Sequence, residues 1–98
     1  MAEVKLELDT AGKGAFRLYE DGKAFGVLQV EVTGEEVIVH HTEVDRECQG
    51  KGYGRKLFDA MVDYARTQGL KVKAYCSYVY AQLKRQPEKY ADIWRPGQ

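Results

Sequence analysis

The sequence predicts an α/β fold of the α+β-like kind: a mostly antiparallel mixed sheet of about five strands, a central helix after a glycine loop, and a short helical C-terminus. Three observations lead there. Residues 4–44 alternate apolar and polar side chains, broken only by turn chemistry. A glycine-rich stretch, CQGKGYG at 48–54, ends that alternation. From Gly54 the apolar residues recur at helical spacing before a last short alternating run, Leu70–Tyr75.

VKLELD (4–9) has the period of a half-buried strand, and GAFRLYE (14–20) repeats it with Phe16 and Leu18 on one side. The Asp-Gly pair in EDGK (20–23) marks a hairpin turn. AFGVLQVEV (24–32) is the next strand, TGEE (33–36) a second turn, and VIVHHTEV (37–44) a third long strand, so the first half reads as a meander. In GRKLFDAMVDYARTQG, Leu57, Met61 and Ala65 form one row and Phe58 and Val62 the adjacent one: an amphipathic helix of about four turns, stopped by Gly69. LKVKAY (70–75) is a strand. YVYAQLKRQ (78–86) and PEKYADIW (87–94) read as two short helices, with Pro87 in the first turn of the second and Tyr90 and Trp94 packing it down.

The chain of 98 residues suits one domain, taken as residues 1–98, able to bury roughly 65% of its unfolded surface. Lys plus Arg equals Asp plus Glu at 15 each, so no net charge draws the protein toward nucleic acid or an anionic membrane. No apolar run approaches the roughly 20 residues of a membrane span, and the charged start MAEVKLELD does not read as a secretion signal. Cys48 and Cys76 without such a signal point to reduced thiols and a cytoplasmic location. Their spacing with His40 and His41 matches no usual zinc pattern, so no metal is expected. A monomer or weak dimer is expected.

The glycine loop lies between a strand and a helix start, where free N–H groups and about half a positive charge favour phosphate. Gly50, Gly52 and Gly54 let the backbone turn toward a ligand and approach it closely, and Lys51, Arg55 and Lys56 add cationic charge. No Ser or Thr follows as a Walker A loop requires. The run is G-x-G-x-G after a meander, not the G-x-G-x-x-G of a dinucleotide-binding βαβ unit.

Gln49-Gly50-Lys51-Gly52-Tyr53-Gly54 matches Q/R-x-x-G-x-G/A and so resembles the acetyl-CoA loop of the GNAT superfamily of N-acetyltransferases. With HTEVDREC (41–48) before it and ARTQGLKVKAYCSYV (65–79) after it, the pattern is similar to a small single-domain branch without the N-terminal helices of larger members. The resemblance spans roughly residues 4–95. It implies that backbone N–H groups of Gln49, Gly50, Lys51, Gly52, Tyr53 and Gly54 hold the pyrophosphate, with Arg55 reaching a phosphate oxygen. It further implies that the pantetheine arm pairs with the backbone of Thr42, Glu43 and Val44, as an added strand would.

That branch carries a cysteine where Cys76 stands, which implies a nucleophile that accepts acetyl from CoA. Direct attack by the amine is the alternative, with Cys76 or Tyr78 protonating the departing thiolate, and a small buried core residue is the third. Strand alternation lets only one of His40 and His41 face the cleft; the resemblance favours His41 as base, with Glu43 on its face as a second base or amine binder. In the branch a His often precedes the tail proline; here it is Gln86. The function implied is transfer of acetyl from acetyl-CoA to an amine, either a small amine or a protein lysine or N-terminus. The other readings are a CoA- or acyl-CoA-binding module without turnover, and a small interaction domain, which would need an apolar exposed sheet face.

Overall fold

Alternation does build the first half. In the computed structural model, which describes residues 2–96, strands β1 (Glu3–Leu8), β2 (Lys13–Glu20), β3 (Lys23–Val32) and β4 (Glu36–Val44) form an antiparallel meander. Asp21 and Gly22 join β2 to β3 with φ of 53° and 80°, the left-handed pair that a tight hairpin turn of matching twist requires. Helix α1 (Tyr53–Gln68) carries the chain to β5 (Lys71–Ala74), which pairs with β4 in parallel and completes a five-stranded sheet in the order β1-β2-β3-β4-β5. Helix α2 (Ser77–Arg85) follows.

One sheet face is dry. Phe16, Leu18, Leu28, Val30, Val37, Val39 and Val72 meet the Leu57, Phe58, Met61, Val62 and Ala65 stripe of α1 and Val79 and Leu83 of α2 in one core. Both helices pack on this face: α1 lies on β1 to β4 and α2 on β4 and β5, with the two bridged by side chains described below. The opposite face is polar. Glu7 accepts hydrogen bonds from Arg17 at 2.9 Å and Tyr19 at 2.6 Å, and His40 pairs with Glu31 at 3.3 Å. The apolar face needed by an interaction-domain reading is therefore not what this side presents.

The tail departs from expectation. Residues 87–93 are not a second helix but a run of turns, with the Lys89 N–H bonded to the Gln86 carbonyl at 3.0 Å and Trp94 N–H to Tyr90 at 2.8 Å. So short a segment has little helical stability of its own, and its backbone is drawn to the sheet instead. Val72 N–H donates to the Ile93 carbonyl at 2.8 Å, and Lys71 Nζ to that of Asp92 at 2.7 Å. Arg66 donates to the Asp92 carboxylate at 2.8 Å and to the Lys89 carbonyl at 2.6 Å. The packing expected of Tyr90 and Trp94 is present: both are buried, edge-on to Phe58 at 5.4 Å and Tyr80 at 5.8 Å.

The hydrogen bond from Arg66 holds the Asp92 carboxyl below its ordinary value of 3.8. A depressed folded-state pKa contributes stability that is present above the unfolded value and lost as pH falls through the folded one. Asp92→Asn is therefore expected to lower stability by at most about 1 kcal/mol at pH 7, the pair being half exposed. Urea titrations should show that deficit shrinking as pH falls from 5 to about 2; a deficit independent of pH would refute the ion-pair account.

Candidate functional site

The site begins where two strands part. β4 and β5 pair from Glu36–Lys71 to Val39–Ala74, with a last bond from Tyr75 N–H to the Val39 carbonyl at 2.9 Å. Beyond it β5 turns toward α2, while β4 runs on to Val44 with only β3 beside it. Residues 40–44 thus have a strand edge unpaired by β5. A bulge sits at this point: Val30 faces Val39 and Gln29 faces His41, leaving His40 as the extra residue.

The bulge corrects the expected alternation at the two histidines. His40 and His41 are both exposed, not one in and one out. His40 bonds Glu31 and stacks on Tyr75, with centroids 6.1 Å apart and rings 14° from parallel. His41 lies opposite Gln29 and Glu43 opposite Val27, on the polar face. Thr42 and Val44, opposite Leu28 and Gly26, point toward the helices. His41 and Glu43 share a face, as expected, but one opposite to that of Thr42.

On the helix side a cavity of about 450 Å³ is lined by Thr42, Val44, Cys48, Gln49, Gly50, Gly52, Tyr53, Gly54, Arg55 and Tyr78. A short 3₁₀ turn, Arg46–Cys48, leads from β4 into the glycine loop. Gly50 and Gly52 take φ of 89° and 78°, and a Cβ on either would meet nothing within 4 Å, so the loop bares its backbone to open space. A helix leaves its first N–H groups without internal acceptors; here the first return bond is Lys56 N–H to the Gly52 carbonyl at 3.1 Å. The N–H groups of Gln49 and Lys51 are instead bonded in turns, to Arg46 and Cys48, each at 3.3 Å.

Side chains brace this mouth. The Tyr53 hydroxyl donates to Glu20, tying the first turn of α1 to the β2–β3 hairpin. Arg55 was expected to reach phosphate, but its guanidinium is committed to Asp59 at 3.1 Å, Gln82 at 2.9 Å and the Tyr90 hydroxyl at 3.2 Å. Lys51 does not line the cavity; its ammonium lies 5.9 Å from the Tyr53 ring centroid. Tyr78 covers Gly54, and a Cβ there would meet the phenol ring at 3.5 Å. Burial pushes the Tyr78 phenol above its ordinary value of 10.0, against an opposing pull from Arg55.

Cys76 precedes α2, only 7% exposed, and its Sγ lies 3.1 Å from Thr42 Oγ1. That contact joins the open stretch of β4 to the start of α2. Cys48 is buried and lines the cavity wall. A second cleft of about 830 Å³ runs along the end of β4, lined by residues His41–Glu47 and Gln49, so Thr42, Val44 and Gln49 border both spaces. Among the described residues no helix is long and apolar enough to cross a membrane.

The family model for the GCN5-related N-acetyl-transferase matches residues 15–93. A GCN5-like protein from Staphylococcus aureus, solved in solution by NMR, shares 29% identity at a TM-score of 0.66, covering 93% of this chain and 85% of that one. The ribosomal-protein-S18-alanine N-acetyltransferase of Escherichia coli superposes at 0.66 with 19% identity over 81% of this chain. A ribosomal-protein-alanine N-acetyltransferase from Brucella melitensis gives 0.61 with 21% identity over 80%. The latter two establish likeness of fold; the chain covers 54% and 62% of their lengths. No curated protein matches the chain in sequence.

Gly52→Ala must place a Cβ in left-handed backbone, at a cost of about 1 kcal/mol or more. Chemical denaturation should show that loss, whereas Gly34→Ala, in an exposed turn without positive φ, should change stability by less than about 0.5 kcal/mol. Equal effects would show that the loop conformation is not fixed.

Proposed function

Because the chain belongs to the GCN5-related N-acetyl-transferase family, we propose that its cleft binds acetyl-CoA and that the acetyl group passes to an amine. The observation that carries the reading is the meeting, at one cavity, of an unpaired β4 edge and a glycine-bared helix start. The pyrophosphate is held by N–H groups of Gly50, Gly52, Tyr53, Gly54 and Arg55, aided by the helix dipole. The pantetheine arm lies along Thr42–Val44, hydrogen-bonding to backbone that β5 leaves free.

Two routes follow from the residues at the end of that path. In the direct one, the amine attacks the thioester carbonyl and the departing CoA thiolate takes a proton from the Tyr78 phenol, which is protonated at neutral pH even before burial pushes it further up. In the covalent one, the Cys76 thiolate first displaces CoA, and the amine then attacks the new thioester. His41 and Glu43 border the second cleft from the polar face, where they suit an arriving acceptor: His41 takes its ammonium proton and Glu43 attracts its charge. A small amine and a protein lysine or N-terminus both fit this uncovered side. Both thiols are free, as a cytoplasmic setting favours.

One observation favours a CoA-binding module without turnover: His41 and Glu43 lie on the face away from the Thr42–Cys76 pair. Mass spectrometry after incubation with acetyl-CoA separates the readings. Acetyl on Cys76 identifies the covalent route, acetyl on an added amine with unmodified Cys76 the direct one, and bound CoA without transfer the module.

Acetyl-CoA at a hundredfold excess over Kd should stabilise the fold by about 2.7 kcal/mol. In a domain of this size the melting temperature then rises by roughly 10 °C or more. Absence of any shift with acetyl-CoA or CoA overturns the proposal. Tyr78→Phe should cut kcat about a hundredfold, with a far smaller change in acetyl-CoA affinity; an unchanged kcat removes Tyr78 from the chemistry.

A further inference from the structure

We propose that a basic cavity beside the glycine loop is a subsite for the 3′-phosphate of the cofactor's adenosine end; the inference rests on the acetyl-CoA reading above. The cavity, about 450 Å³, is lined by Arg55, Gln82, Arg85, Gln86 and Lys89 and by no carboxylate. Arg55 also lines the glycine-loop cavity, so the two spaces meet at one side chain. With the pyrophosphate on the start of α1 and pantetheine running toward β4, the phosphorylated ribose must leave the loop in another direction. The space beyond Arg55 adjoins the loop cavity through that side chain, and its lining is cationic.

The groups there divide the work. Arg55 is bonded to Asp59, Gln82 and Tyr90, so it shapes the wall and holds Gln82 rather than supplying free charge. Arg85 and Lys89 are exposed, one in the last turn of α2 and the other just beyond it in the tail. The Lys89 ammonium sits 5.6 Å from the Tyr90 ring centroid. A guanidinium and an ammonium beside two side-chain amides suit a terminal phosphate monoester, which carries nearly two charges at neutral pH. Asp59 and Asp63 border the neighbouring cavity, which Lys89 also lines, and so mark the limit of the basic zone. Lys84 and Arg85 both complement the dipole at the end of α2, but only Arg85 lines the cavity.

The test compares binding of CoA and 3′-dephospho-CoA by calorimetry at fixed ionic strength. The wild-type protein should bind CoA about tenfold more tightly. Arg85→Gln with Lys89→Gln should bring the two affinities close to equal by weakening CoA alone, while the Lys84→Gln control keeps the preference. Both changed residues are exposed, and the wild-type preference reads the subsite without any variant. Equal wild-type affinities overturn the subsite and leave the acetyl-CoA reading standing. A preference that survives the double variant but falls in Lys51→Gln with Lys56→Gln assigns the phosphate to the loop and overturns it as well. Binding of neither ligand overturns both readings.

Discussion

The parting of β4 from β5 after Val39 is the constraint on which the site depends. A strand edge inside a sheet is normally consumed by its neighbour, and its free N–H and C=O groups are a strong template for any extended chain. Here β5 is four residues long and β4 nine, so the deficit falls entirely on one stretch. The bulge at His40 lies at the point of divergence, where an extra residue bends a strand and raises its twist. The glycine loop then begins one short turn after the exposed edge ends, so backbone donors for an extended arm and for an anion lie in sequence along a single path.

Such an opening needs to be held from the sides. Tyr53 ties the start of α1 to the β2–β3 hairpin through Glu20, Arg55 ties it to α2 and the tail, and Thr42 meets Cys76 across the gap. Each tie spans a long stretch of sequence and joins one wall of the cleft to another. Because both helices occupy the same sheet face, the core is one layer deep and the reverse face stays polar. The two clefts bordering β4 consequently differ in lining, one formed with residues of both helices and the other by β4 and the turn that follows it.

Much of this was legible in the residues. The Asp21-Gly22 turn, the period-two runs and the Leu57–Met61–Ala65 row define every strand and α1, because local chemistry and tertiary packing agree there. The glycine loop announced itself by composition. The polar His40-His41 pair directly after Val37-Ile38-Val39 was the one signal of a bulge, and simple alternation overrode it. The tail was misread because Pro87 and the apolar spacing of Tyr90 and Trp94 suit a helix, while the β5 edge that captures Ile93 lies far away in sequence. The same holds for Arg55: its charge beside a phosphate-type loop was evident, but partners 27 and 35 residues away were not.

The parallel pairing of β5 also sets an order of assembly. Each strand of the meander closes on its predecessor through a short turn, whereas β5 must bring the loop and all of α1 back across the sheet before its first ladder bond forms. Loop-closure entropy makes that contact a late one. Even then β5 is short, and the backbone bond from Val72 to Ile93 fastens it from the far side. The last residues of the described chain thereby act as a latch. Ligand-ready geometry depends on a segment outside the glycine loop, one that reaches the cleft wall through the Tyr90–Arg55 bond, and the cleft is among the last features of the molecule to mature.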